Sequence, residues 1–452
     1  MSNTVKKPGF IWGVASSAAQ TEGATIEDGK GHSIWDVFSK YNGRVARGHS
    51  PNPGTDFYNR YPVDLDIIRV LGIPNFRFSI SWSRLSPGGG GQINKAGLDF
   101  YDRLVDSCLL RGIEPWITLY HWDLPHALEL RGGWLNRDIV DWYLEYAQHV
   151  LKRLSDRVSR WMVLNEPLTF TGAGYFLGIH APGKRGLNNF LAATHHACLV
   201  QAEGIRQIKS INKNNMAGTT FSCTSVSSRS ESEKELRSKV IADAILNRLF
   251  IEPLCGFGYP LDSVPALSRI EKHVRQHDMD RLKSEPDFIG IQYYTRLKVA
   301  HAWHVPYLQT KILKESDPHH DSTANGWAIH PEGLHEMIEQ FSSYPGIREI
   351  YITENGAAFH DRLNNGHVHD DARTAYLKAH IEQVLKAKAR GLPVMGYFVW
   401  SLTDNFEWAE GYNHRFGLVY VDYVTQRRFI KQSAFWYSKF ISDYGLRELN
   451  PL

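Results

Sequence analysis

Eight short apolar runs recur along the chain, and stretches with helical periodicity lie between them. The runs are Phe10–Ala15, Asn75–Ile80, Glu114–Leu119, Trp161–Asn165, Met216–Phe221, Phe288–Tyr293, Ile350–Thr353 and Val394–Trp400. They are rich in β-branched and aromatic residues and alternate little, as strands covered on both faces do. Such strands need helices to cover them. Leu98, Tyr101, Leu104–Val105 and Cys108–Leu109 keep a three-to-four spacing, with Gly112 following as a stop. Asn136 is placed to cap the next helix, whose apolar stripe runs through Ile139–Val140, Tyr143, Val150–Leu151 and Leu154. Eight strands alternating with helices predict an α/β fold, a single (β/α)8 TIM barrel with its active site at the C-terminal ends of the strands. A doubly wound sheet fits less well, because no candidate strand is followed by the Gly-x-Gly-x-x-Gly turn.

The 452 residues exceed the usual length of one domain, but barrels of this size are common. The Gly88–Gly91 run and the Ser-rich Ser222–Ser232 are too short for linkers, so residues 1–452 read as one catalytic domain. Balanced charge, 51 basic against 48 acidic residues, argues against nucleic acid or an anionic membrane as partner. Cys108, Cys198, Cys223 and Cys255 match no zinc spacing and read as free, mostly buried thiols of a reducing compartment. Lys6-Lys7 followed by Phe10–Ala19 mimics a leader peptide, but Pro8-Gly9 and Trp12-Gly13 interrupt it. The reading is therefore a first strand and a cytoplasmic location. His195-His196 and His367-Val368-His369 lie away from an early strand end, so no metal and no cofactor is expected.

Aromatic residues make up 12% of the chain, enough for binding platforms as well as core. The strand ends show where such platforms would be. In order they carry Gln20, Arg77, His121-Trp122, Asn165-Glu166, Tyr294, Glu354-Asn355 and Trp400, with Glu407-Trp408 in the loop just beyond. A single carboxylate after a strand is usually a cap or an ion pair. Glu166 and Glu354, on strands four and seven, would meet in one pocket of a closed barrel. Two carboxylates facing across a sugar ring, one protonated and one ionised, are what glycoside hydrolysis requires. Indoles suit the apolar face of a pyranose, and Gln, His, Asn and Glu suit its hydroxyls.

With these residues in place, the chain resembles glycoside hydrolase family one, the β-glucosidase family, from Phe10 to about Ser438. Four motifs carry the likeness: Phe10 through Gly23, Leu164-Asn165-Glu166-Pro167, Ile352-Thr353-Glu354-Asn355-Gly356, and Trp400 through Trp408. The resemblance implies a retaining hydrolase with Glu354 as nucleophile and Glu166 as general acid and then base. It implies that Arg77 and Tyr294 orient the nucleophile, with Arg77 lowering its pKa. Asn165 would bond the sugar 2-OH. Gln20, His121, Trp122, Glu407 and Trp408 would hold the remaining hydroxyls, over a floor made by Trp400. The implied partner is a small β-glycoside or cello-oligosaccharide, in the setting of cellulose degradation.

Departures are informative. The family usually has Asn-Tyr-Tyr after strand six; here Gln292-Tyr293-Tyr294 stands, and Gln292 is taken only as a neighbour. Asn-Glu-Pro is often followed by Trp; here Leu168 follows, giving a wider and less aromatic aglycone rim. His301 to Trp327 is expected to form a long loop at the mouth, with Trp327 and Trp303 as rim stackers. Glu407 and Glu410 would repel a sugar phosphate, so an unphosphorylated sugar is expected. Glu166, where thioglucosidases have Gln, points to an O-glycoside; glucose leads, with galactose or fucose as side activities. A catalytically inactive, co-receptor-like barrel is the competing reading.

Overall fold

A computed structural model describes residues 9–314 and 322–449; Lys6, Lys7 and Pro8 lie outside the described residues. The eight barrel strands are β1 (Ile11–Ala15), β2 (Asn75–Ser79), β3 (Glu114–Tyr120), β4 (Arg160–Asn165), β5 (Met216–Ser228), β6 (Phe288–His301), β7 (Ile350–Asn355) and β8 (Val394–Trp400). All neighbours around the ring are parallel, in the order β5-β4-β3-β2-β1-β8-β7-β6, and β6 pairs with β5 to close it. The closing seam between the chain's first and last barrel strands runs in register from Ile11 opposite Gly396 to Ala15 opposite Trp400. The expected barrel is therefore the fold, with strand boundaries shifted by a few residues at most except in β5 and β6.

Both extend past the barrel rim and stay paired, from Ser225 opposite Arg296 to Ser228 opposite Val299. The Ser-rich stretch is thus partly strand, polar because it projects beyond the covered region. The loop expected from His301 also contains structure: Thr310–Leu313 forms an antiparallel strand on the outer part of β6. The helix Ile139–Leu154 has Asp138 at its N-cap, and Asn136 instead accepts the Asp138 N–H at 2.9 Å through Oδ1. Asn136 sits two residues too early to cap, and it shapes the turn that leads into the helix.

Aromatic rings fill the lower barrel. Trp116 meets Phe288, Tyr351 and Phe398 edge to face at 4.9–5.8 Å, and its indole N–H donates to Asn75 Oδ1 at 3.1 Å. These rings are all buried, and they cover the ionisable groups above them from that side. The larger apolar core lies between the strands and the outer helices, where Val163, Leu164, Ile205 and Ile208 are fully buried. Cys108, Cys198 and Cys223 are buried, Cys255 is half-buried, and all four are free thiols.

Candidate active site

A cavity of about 600 Å³ opens at the C-terminal ends of the strands. Glu166 and Glu354 both line it, together with His121, Trp122, Asn165, Tyr294, Trp327, Trp400, Glu407 and Trp408. Gln20 and Arg77 lie fully buried just beneath its surface.

Glu354 ends β7 and is held from three sides. Arg77 Nη1 donates to Oε1 at 2.5 Å, Gln292 Nε2 to the same oxygen at 2.9 Å, and Tyr294 OH to Oε2 at 2.7 Å. Glu166 follows β4 and has left-handed backbone angles, φ 44° and ψ 66°. A non-glycine residue held there costs roughly 1–3 kcal/mol and is found where the neighbours over-determine the geometry. Pro167 follows and starts a helix, and the Glu166 N–H donates to Thr220 O across the strand pair.

The two carboxyls are not equivalent. Burial raises Glu166 well above the ordinary carboxylate range, and the negative charge of Glu354 raises it further. Burial raises Glu354 too, while Arg77 and the Tyr294 hydroxyl pull it back. The expected net depression of Glu354 by Arg77 is therefore not found, since desolvation outweighs the guanidinium. The order survives: Glu354, with the cation and the donors, ionises first, and Glu166 keeps its proton longer. Glu407 is pushed up to about 8, first by burial and then by Glu354's charge.

Asn165 joins the two sides. Its Oδ1 accepts from Arg77 Nη2 at 2.5 Å, Gln292 Nε2 at 2.6 Å and Thr220 Oγ1 at 3.1 Å. Its Nδ2 must then donate to His121 Nε2, 3.1 Å away. This fixes the tautomer: His121 carries its proton on Nδ1, a buried atom with no hydrogen-bond partner among the described residues. Burial and the Arg77 charge hold His121 well below its usual pKa, so its ring stays neutral.

Gln20 donates to Asn405 Oδ1 at 3.1 Å and to Glu407 Oε2 at 3.4 Å, and accepts from Ser17 Oγ at 2.6 Å. One wall is aromatic. Trp408 lies 4.5 Å from Trp122 and 4.7 Å from Trp35, and the His121 ring stacks near Trp400 and Trp408. Trp122 and Trp408 both have positive φ, and Trp122 is anchored by an indole bond to Asn165 O at 2.9 Å. Trp327 stands at the rim, its ring 5.6 Å from Tyr294.

Most of the residues singled out from sequence thus converge, with exceptions. Leu168 does not line this cavity; it faces an adjacent apolar groove. Trp303 is 80% exposed, and among the described residues its ring meets only that of His304. Asn355 points away, donating to Tyr293 O and Tyr376 OH and accepting from Tyr397 OH. His195 is buried between Tyr259 and Asp278. His369 bonds Gln432. Sequence reasoning undervalued Gln292, which bridges Asn165 and Glu354, and missed His180 and Thr169 on the cavity wall.

The family description "Glycosyl hydrolase family 1" matches residues 2–446. The chain is 41% identical to Beta-glucosidase A of Thermotoga maritima, covering 99% of this chain and 100% of that one. It is 42% identical to a 1,4-beta-D-glucan glucohydrolase of Thermotoga neapolitana, over 97% and 99%. A solved structure of the β-glucosidase from Thermotoga maritima in complex with glucoimidazole superposes with a TM-score of 0.92 at 40% identity, covering 97% of this chain and 99% of that chain.

Proposed function

The chain belongs to glycosyl hydrolase family 1, and from that premise we propose that it is a β-glucosidase that removes glucose from the non-reducing end of unphosphorylated β-O-glucosides with retention. Glu354 attacks the anomeric carbon while Glu166 gives its proton to the leaving oxygen. A glycosyl-enzyme forms, and Glu354 loses its charge. The Glu166 carboxyl then loses the neighbour that raised it, its pKa falls, and it becomes the base that activates water. The observation that carries this reading is the unequal holding of two buried carboxyls in one cavity: Arg77, Gln292 and Tyr294 all bond Glu354.

Asn165 is suited to the 2-hydroxyl beside Glu354. The carboxyl oxygens of Glu407 supply acceptors for further hydroxyls, and Trp400 offers a flat apolar face. Glu407 and Glu410 line the cavity, and among the described residues no lysine or arginine does, which disfavours a sugar phosphate. The relatives' names support glucosides and glucan oligosaccharides as substrates. They lend no support to a catalytically inactive barrel. A cytoplasmic location is part of the proposal; the apolar run that mimics a leader is strand β1, and no helix among the described residues is long and apolar enough to cross a membrane.

The test is Glu354→Gly with an aryl β-glucoside. Turnover should be lost, and added azide should restore it as the α-glucosyl azide, since a small anion fills the vacated site on that face. Azide rescue giving the β-product would move the nucleophile elsewhere.

A further inference from the structure

Asn355 leaves the cavity, yet it directly follows the nucleophile in sequence, and its side-chain amide is fully engaged. Nδ2 donates to Tyr293 O at 2.6 Å and to Tyr376 OH at 3.1 Å, and Oδ1 accepts from Tyr397 OH at 2.6 Å. The Tyr376 hydroxyl in turn donates to Tyr294 O at 3.2 Å. The Tyr294 phenol is the group that bonds Glu354 Oε2. Hydrogen bonds thus run in one direction. They start at Tyr397 on β8, pass through Asn355 on β7 and Tyr376 on an outer helix, and end on the backbone of Tyr294 on β6.

Tyr294 needs such a tie, because the strand ladder is irregular on both of its sides. Tyr293 pairs with Cys223 and Arg296 with Ser225, so Tyr294 and Thr295 together face the single residue Thr224. Two residues against one make a bulge, which disrupts the ladder locally and re-aims a side chain. On the other edge of β6 the register with β7 shifts after Ile291, and the last pair is Gln292 opposite Glu354. Tyr376 can hold this point because it is itself held. It lies buried on the helix Asp371–Ala389. His380, one turn further on, stacks on its ring at 3.9 Å and 26°, and the His380 Nδ1–H donates to Tyr376 O at 2.8 Å.

We infer that Tyr376 is a positioning residue for the nucleophile: its hydroxyl fixes the backbone of Tyr294 and so aims the Tyr294 phenol at Glu354. Tyr376 is not among the residues lining the catalytic cavity, so it acts through Tyr294. The inference rests on Glu354 as the nucleophile. The Tyr294 bond favours ionised Glu354, and a phenol aimed less well leaves that carboxyl with a higher pKa.

The experiment is a double-mutant cycle on 4-nitrophenyl β-glucoside, with Tyr376→Phe, Tyr294→Phe and the pair, and with kcat/KM read across pH. Tyr376→Phe removes one hydroxyl and keeps the ring on His380. It should lower kcat/KM about threefold to tenfold, mainly through kcat, and move the acidic limb up by about half a pH unit. In the Tyr294→Phe background the same change should cost less than about twofold and leave the limb where Tyr294→Phe puts it, because the group that Tyr376 aims is gone. Equal losses in both backgrounds, or an acidic limb that Tyr376→Phe does not move, overturn the inference, since a purely structural residue weakens both backgrounds alike. If Tyr376→Phe does not fold, Tyr397→Phe, which cuts the run of bonds at its start, is read by the same criteria. Failure of the function itself looks different, since the unaltered protein would then not cleave the nitrophenyl glucoside, and a different nucleophile would show in the azide product.

Discussion

Gln292 offers one amide group to two acceptors that belong to opposite sides of the cavity, Asn165 Oδ1 and Glu354 Oε1. The added methylene relative to asparagine lets it reach both. Replacing it by Leu leaves a buried carboxylate short of a donor, a loss of roughly 1.5–3 kcal/mol for a charged acceptor. The sign follows from which form the bond stabilises. The donor favours ionised Glu354, so its removal raises that carboxyl, and activity, which needs Glu354 ionised, is lost at a higher pH on acidification. The acidic limb of kcat/KM should move up by about one pH unit or more. The alkaline limb, where Glu166 loses its proton, should stay above the ordinary carboxylate range, and Glu166→Gln should abolish it for substrates with good leaving groups. A Gln292→Leu profile identical to that of the unaltered protein would remove Gln292 from the machinery.

The same residue shows what was legible. Period-two alternation at the end of β6 already turns Gln292 and Tyr294 to one side and Tyr293 to the other. Treating Gln292 as a neighbour ignored that pattern. Leu168 fails for the complementary reason. Two residues along a helix turn a side chain about 200° from its start, away from Glu166, while Thr169 comes round again to the cavity. Motif adjacency located the carboxylates; helix geometry decides which neighbours join them. Gly356, in the nucleophile motif, has a plain steric reason, since a Cβ there would lie 1.8 Å from Trp400 O.

At the scale of elements, the loop after β8 is positioned from behind. Asp404, three residues before Glu407, accepts from Lys431 Nζ at 2.6 Å and Arg415 Nη1 at 2.5 Å, and from the Gly417 N–H at 3.0 Å. Lys431 also bonds Asp361, which is paired with Arg373 at 2.8 Å, and Arg373 pairs with Asp370. Three cations and three carboxylates thus balance in a largely buried cluster. Lys431→Met would leave one negative charge there without a partner, and unfolding by denaturant should show a loss of about 3–5 kcal/mol. A change below 1 kcal/mol would mean that the cluster does not hold the loop. Apart from Asp370 and Arg373, three residues apart, these pairings are not readable from sequence, because their partners lie 11 to 70 residues apart with no periodicity. The outer ends of β5 and β6 were equally hidden. Apolar runs mark a strand only while both faces are covered, and these strands outrun their cover.

For the whole molecule, the alternation of strand and helix carries the topology, since eight covered strands have few ways to close. The closure itself depends on the end of the chain. In the helix Gln432–Leu449, Phe440 and Tyr444 set their rings against Trp12, and Tyr437 OH donates to Gly13 O at 3.0 Å and to Tyr397 O at 3.4 Å, spanning β1 and β8. A chain ending at Lys431 should therefore lose its cooperative thermal transition, measured by calorimetry. A sharp transition within a few degrees of the full chain's would show that the seam holds without this helix.

Gln20 and Glu407 meet across that same seam although 387 residues separate them. A glucose unit held by both would clasp the two ends of the polypeptide together from inside the pocket. The site formed by these two residues exists only once the last turn of the ring has closed, and a sugar filling it would make reopening the ring harder.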